Sequence, residues 1–358
     1  MRRVLLVSLL LIPAAPGGAQ PQHPAPVEGE FVVRDFVFAS GERLPEVRLH
    51  YRTIGTLRRG ADRRAANAVL ILHGTGGSGR QFLSQAFAGG LFGPGQLLDA
   101  ATHFIILPDG VGHGQSSKPS DGLRAKFPRY GYHDLVALQH RLVTEHLKVD
   151  HLRLVMGTSM GGMHSWMWGY LHPAMMDGLV PLASVPAQIA GRNRMMRTMI
   201  TTSIRNDPDW KGGDYTGQPV RGLTGALNIL LWMTSSPLQW QKLAPTRDEA
   251  DRFYAEQIRT RLAATDANDM LYQFESSSDY DPSPHLEKIT APVLAINSAD
   301  DQVNPPELGL MERLMPRVPR ARYVLLPITE DTRGHGTHSV PAIWGARLEA
   351  FLRELPSR

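Results

Sequence analysis

The 358-residue chain has no cysteine. That excludes disulfides, thiolate metal ligands and a thiol nucleophile, so covalent chemistry must run through another side chain. Long apolar runs are missing too. Val4 to Ile12 is too short to cross a bilayer, which needs about 20 apolar residues, and no later stretch reaches that length. Neither sign of charge is in excess, with 38 Lys and Arg against 34 Asp and Glu. The only dense basic stretch, Arg58-Arg59-Gly60-Ala61-Asp62-Arg63-Arg64, lacks interleaved aromatics. It reads as a solvated loop, not a nucleic-acid or membrane surface. There is no His-Glu-x-x-His, and His335-x-x-His338 lacks a third ligand, so no metal and no cofactor is expected.

The N-terminus has the form of a signal peptide. Arg2 and Arg3 precede the apolar run, and Pro13 and small residues lead to Gly17-Gly18-Ala19. Residues 1–19 are expected to be removed near Ala19–Gln20, which predicts a periplasmic or secreted protein. Gln20 to Glu30 is rich in proline and reads as a flexible leader.

Strand and helix signals then alternate. Phe31 to Phe38 and Val47 to Thr53 read as extended. Ala68 to Leu72, His103 to Leu107, Leu152 to Met156, Gly178 to Leu182, Pro292 to Ile296 and Arg322 to Leu326 are short apolar runs of the buried parallel kind. Helical patterns fall between them, at Tyr132 to Lys148, Ser159 to Leu171 and Ile343 to Leu352. This is the pattern of an α/β domain with a mainly parallel sheet flanked by helices. Residues 186–290 break the rhythm with four helical patterns, Gln188 to Arg205, Thr224 to Met233, Arg247 to Leu262 and Asp266 to Phe274. They read as a helical lid inserted between two core parts, 20–185 and 291–358. The lid is rich in Met and Trp, including Met195, Met196, Met199, Met233, Trp210, Trp232 and Trp240. Such residues suit an adaptable acyl pocket or plain packing of lid on core.

Gly157-Thr158-Ser159-Met160-Gly161 matches G-x-S-x-G between a buried strand and a helix. A nucleophile elbow needs that context: the tight turn lifts the serine above the sheet, and the glycines prevent clashes. Met160 would open the helix with a free N–H for an oxyanion. His73-Gly74-Thr75-Gly76-Gly77 follows another buried strand, where the second oxyanion N–H is expected, most simply from Thr75. The same loop is a weak G-x-G-x-x-G match, without the acidic residue a ribose would need. A serine needs a base, and the base needs a carboxylate. The ends of later strands offer His335, with His338 as the rival, and Asp301, with Asp300 as the rival.

At these residues the chain resembles the homoserine O-acetyltransferase branch of the α/β-hydrolase superfamily. The shared segments include Tyr51-Arg-Thr-Ile-Gly-Thr-Leu57, Gly157-Thr-Ser-Met-Gly-Gly-Met163, Asn206-Asp-Pro-Asp-Trp210, Asp279-Tyr-Asp281, Asp301-Gln-Val-Asn-Pro-Pro306 and Gly334-His335. The resemblance implies an α/β-hydrolase fold, Ser159 as the acylated nucleophile, Asp301 as the orienting acid and His335 as the base. Asp279 is the candidate substrate-binding residue. Three segments depart from the branch, the first being His73-Gly-Thr-Gly-Gly77, where the branch usually has His-Ala-Leu-Thr-Gly. Pro108 to Pro119 is similar to ordinary ester hydrolases, and Leu227 stands where the branch has a lid arginine.

These readings converge on a serine-dependent acyl ester hydrolase working through an acyl-enzyme. An O-acyltransferase of the homoserine O-acetyltransferase type shares every catalytic residue, and a non-catalytic binding protein on the same fold is the third reading. The Met- and Trp-rich lid and the missing arginine point to an uncharged small-molecule acyl ester. No nucleic-acid partner and no membrane span are expected, and a homodimer stays open.

Overall fold

The computed structural model describes residues 23–356, so the expected signal peptide lies outside the described residues. Eight strands form one sheet: β1 (Val27–Val37), β2 (Arg43–Ile54), β3 (Ala68–Leu72), β4 (Phe104–Pro108), β5 (Leu154–Thr158), β6 (Leu179–Leu182), β7 (Val293–Ser298) and β8 (Ala321–Leu326), in spatial order 1-2-4-3-5-6-7-8. Strand β2 pairs antiparallel with β1 and with β4; every pairing among β3 to β8 is parallel. The central strands β3, β5 and β6 are buried at every residue, as their unbroken apolar runs require.

Ten α-helices accompany the sheet among the described residues. They are α1 (Ala88–Leu91), α2 (Tyr132–Arg141), α3 (Met160–Leu171), α4 (Gly191–Arg205), α5 (Val220–Met233), α6 (Pro237–Leu243), α7 (Arg247–Ala264), α8 (Ala267–Glu275), α9 (Leu310–Leu314) and α10 (Pro341–Glu354). The two faces of the sheet feed two hydrophobic clusters. One packs β3 and β5 side chains against α2 and α3, and the other packs alternate residues of the same strands against α10.

Helices α4 to α8 all lie between β6 and β7. They have a core of their own, built from residues such as Ile200, Ile204, Leu223, Leu227, Met270 and Phe274. Their ends are capped locally. Thr246 and Glu249 form a capping box on α7, and the Asp266 carboxylate accepts the N–H groups of Asn268 and Asp269 at the start of α8.

Three boundaries differ from the sequence reading. Strand β1 starts at Val27, inside the expected leader, because residues 27–30 pair with Tyr51, Arg52, Thr53 and His50 of β2. It is an edge strand, largely exposed on both faces, so no alternation marks its start. Helix α2 ends at Arg141 and passes into a wider turn, Leu142–His146, closed by Leu147 N–H to Leu142 O. Helix α6 is short and exposed, without the apolar face that reveals a longer helix.

Candidate active site

Strand β5 delivers Ser159 into a left-handed conformation, φ 55° and ψ −113°, immediately before α3. A β-carbon serine at such angles is strained. The neighbouring glycines make the turn feasible. A side chain at Gly157 would collide with the backbone of Gly161, and one at Gly161 with the carbonyl of Leu72. The Ser159 N–H is held by Leu182 O of β6 at 2.9 Å.

His335 approaches from the loop after β8. Its Nε2 lies 2.8 Å from Ser159 Oγ, and its Nδ1 lies 2.9 Å from Asp301 Oδ2 in the loop after β7. Burial pushes the Asp301 carboxyl up, but His335, the Asn304 side chain and the Val303 N–H outweigh it and hold the group below its ordinary value. An ionised carboxylate only accepts hydrogen bonds, so Nδ1 carries the hydrogen and Nε2 is free to accept from Ser159. The Asp301 Oδ1 atom accepts the N–H of Val303 at 2.8 Å and of Asn304 at 3.2 Å, and Asn304 Nδ2 donates to Oδ2 at 3.1 Å. These bonds fix the carboxylate before it meets the imidazole.

Geometry separates the rivals that sequence left side by side. Asp300 turns away from the imidazole. Its carboxylate accepts the N–H of Gly334 at 2.8 Å, the Ser298 hydroxyl, and the Ser236 hydroxyl at 3.4 Å. It therefore ties the residue before His335 both to β7 and to the loop before α6. His338 packs edge-on against the His335 ring, 5.3 Å between centroids. Burial, together with the nearby His335, lowers its pKa to about 3, so His338 is a neutral wall.

The two expected oxyanion donors flank the serine. Met160 is the first residue of α3, whose N–H has no intrahelical acceptor. Gly74 sits close enough that a β-carbon there would be 3.5 Å from Ser159 Cβ, and Thr75 follows it. The Thr75 hydroxyl is buried and faces the equally buried Tyr132 hydroxyl without a well-formed hydrogen bond to it. This loop is held from below by His73. Nε2 of that ring accepts the N–H of Gly110 at 2.9 Å and Nδ1 donates to Gly74 O at 2.9 Å. Burial lowers its pKa, against the opposing pull of Gly74 O and Asp109, so the ring stays neutral in that tautomer. Sequence reading named His73 only as a loop residue; its anchoring role depends on Gly110, which lies on another strand end.

Asp279 is placed elsewhere. Its carboxylate accepts the N–H of Tyr132 at 2.8 Å and of His133 at 3.0 Å, and meets His133 Nδ1 at 3.0 Å. It caps the start of α2 and does not line the cavity beside Thr75. Its acceptor capacity is spent on a helix end, which sequence position alone does not reveal.

Two cavities decide how the insertion relates to the serine. One, of about 610 Å³, is lined by Thr75, Gly76, Gly77, Arg80, Lys118, Leu227, Arg261, Asp269 and Phe274, among others. The other, of about 570 Å³, is almost wholly apolar and is lined by Met195, Met196, Met199, Trp232, Met233, Trp240 and neighbouring insertion residues. The second is an outer groove. Met195 is 63% exposed, Met199 53% and Trp232 70%, and no residue of the Thr75 loop, Ser159 or His335 lines it. The Met- and Trp-rich surface is thus not the wall of the reacting site. It is packed among α4, α5, α6 and α7 because those helices have no sheet to cover that side.

Residues 67–327 match the family model described as alpha/beta hydrolase fold. A homoserine O-acetyltransferase from Moorella thermoacetica is 31% identical over 278 residues, covering 68% of this chain and 72% of that protein. Among solved structures, homoserine O-acetyltransferase from Bacillus anthracis superposes with a TM-score of 0.79 at 21% identity, over 94% of this chain and 100% of that one. An acetylester hydrolase from Corynebacterium glutamicum does so with a TM-score of 0.79 at 22% identity, over 94% and 97%. At such identities the structural likeness speaks to the fold alone.

Proposed function

Since this chain belongs to the α/β-hydrolase fold family, in its homoserine O-acetyltransferase-like branch, we propose that it is a serine-dependent acyl ester hydrolase with Ser159, His335 and Asp301 as its catalytic residues. The observation that carries the reading is the continuous relay from Asp301 through His335 to Ser159, at 2.9 and 2.8 Å. His335 takes the serine proton as Ser159 attacks the ester carbonyl. The imidazolium formed is stabilised by Asp301, and the oxyanion is received by the N–H groups of Met160 and Thr75. His335 then protonates the leaving alcohol. In the second half it activates water against the acyl-enzyme.

Two features favour water over an amino-acid acceptor. Leu227, at the position where the branch has a lid arginine, is buried and lines the cavity beside Thr75. That cavity also includes the exposed Gly76 and Arg80, so it is open to solvent beside the Thr75 loop. Export, expected from residues 1–19, points the same way, because coenzyme A thioesters belong to the cytoplasm. The relatives of the branch named for acetyl transfer keep the O-acyltransferase reading as the rival. The deciding assay gives the purified protein a short acyl ester, then acetyl-CoA with homoserine, and measures free acid, O-acetylhomoserine and free coenzyme A. Free acid is expected from the ester. Efficient O-acetylhomoserine formation with ester hydrolysis at background would overturn the hydrolase reading.

A further inference from the structure

The cavity beside Thr75 is larger than a short acyl group needs and lies within the range of small-molecule sites. Its far walls are charged. The two wall carboxylates are already engaged. Asp266 accepts from the Tyr215 hydroxyl, the Gln218 amide and two helix N–H groups. Asp269 accepts from the N–H of Ser120 at 2.9 Å and from its hydroxyl at 2.6 Å. Of the cations, Lys118 is paired with Asp121 at 2.8 Å. Arg80 and Arg261 are different: among the described residues neither has a carboxylate partner. Arg261 donates from Nη2 to the Gln257 amide oxygen at 3.3 Å, and its Nε is buried without an acceptor among the described residues.

A guanidinium on a cavity wall with no carboxylate partner leaves its charge uncompensated, and an anionic oxygen entering the cavity would supply a charge-assisted partner. A neutral amide or ester oxygen satisfies such a fork less well than a carboxylate or phosphate, whose geometry matches it. The apolar residues that suggested an uncharged substrate face the outer groove instead. Leu227 brings no acid to compete for the two arginines.

We propose that the ester turned over at Ser159 carries an anionic oxygen group, carboxylate or phosphate, which Arg261 and Arg80 hold in the cavity beside Thr75. This rests on the acyl-ester reading above and names its substrate class.

The test compares esters that differ only in charge. The carboxylate arm sets mono-(4-nitrophenyl) glutarate against its methyl ester. The phosphate arm sets 2-acetoxyethyl phosphate against 2-acetoxyethanol. The wild-type protein is expected to favour the anionic member of at least one pair by about tenfold or more in kcat/KM. The preference should appear mainly in KM, and the arm that shows it identifies the anion. Arg261→Gln is expected to collapse that ratio toward one, and Arg80→Gln, at an exposed position that tolerates change, to reduce it. An absent preference in both arms, or a preference that survives in both variants, overturns the proposal. Failure of the acyl-ester reading has a separate signature: no member of either pair is hydrolysed and a fluorophosphonate does not label Ser159.

Discussion

In the loop after β7 the two carboxylates Asp300 and Asp301 are each held by several donors. Asp301 alone receives three donors besides His335. The helices between β6 and β7 are furnished differently. They place Arg261 on a cavity wall with no carboxylate partner among the described residues and leave Met195, Met199 and Trp232 open to solvent. The contrast separates two tasks. Reacting groups must sit within a few tenths of an ångström of productive geometry, so their surroundings fix them in advance. The insertion carries hydrogen-bonding capacity and apolar area that the fold itself does not use.

The comparison is broken most severely at Ser159. Ser159→Ala is expected to lower ester turnover by on the order of 10⁴-fold or more and to abolish fluorophosphonate labelling. Retained turnover in that variant would remove the relay from the chemistry. Next come the two adjacent acids. In Asp301→Asn the amide no longer holds the Nδ1–H tautomer. Nε2 then carries the hydrogen and cannot accept from Ser159, so kcat should fall by about 10³- to 10⁴-fold. Asp300→Asn can still accept the Gly334 N–H and donate to Ser298, and should lose no more than about tenfold, because its work is to position a loop. Equal losses in steady-state assays of the two variants would mean that the roles are not divided as described.

A smaller effect is expected from Asp269. Burial raises its pKa from 3.8 to about 6, with Asp266 adding to the rise and Ser120 and Lys118 opposing it. The folded value lies above the unfolded one, so the native state binds this proton more tightly. The stability it contributes is fully present below the unfolded value and is lost as pH rises through about 6, on the order of 2–3 kcal/mol. Urea unfolding of wild type and Asp269→Asn across that window should show a flatter profile for the variant, and parallel profiles would contradict it. The smallest effect belongs to the outer groove. Met195→Gln should shift stability by less than about 0.5 kcal/mol and leave ester turnover unchanged. A clear kinetic defect would bring that groove into the reaction.

Much of this was legible in the residues. The buried parallel strands appear as unbroken apolar runs because both faces of the sheet are covered, and Ser159 is marked by a strand, a glycine-flanked turn and a helix in succession. The start of β1 was hidden because an exposed edge strand needs no apolar pattern. Asp300 and Asp301 differ by one position in a loop, and only the folded chain shows which carboxylate faces the imidazole. Asp279 looked like a ligand group until its partners, at the start of α2, came within reach. Arg80 and Arg261 are 181 positions apart, and each alone reads as an ordinary solvated cation. Likewise the Met and Trp content of residues 186–290 is a true compositional feature, but composition does not say toward which side a helix turns it.

The contact between Gly334 and the loop before α6 has a consequence for the placement of His335. A side chain at Gly334 would strike Ser235 O, and Asp300 joins Gly334 to Ser236 on the same loop. The insertion therefore rests directly on the segment that carries His335. Any outward movement of α6 would draw the loop before it away from Gly334 and displace the imidazole next to it: the insertion is a buttress for the segment that bears His335.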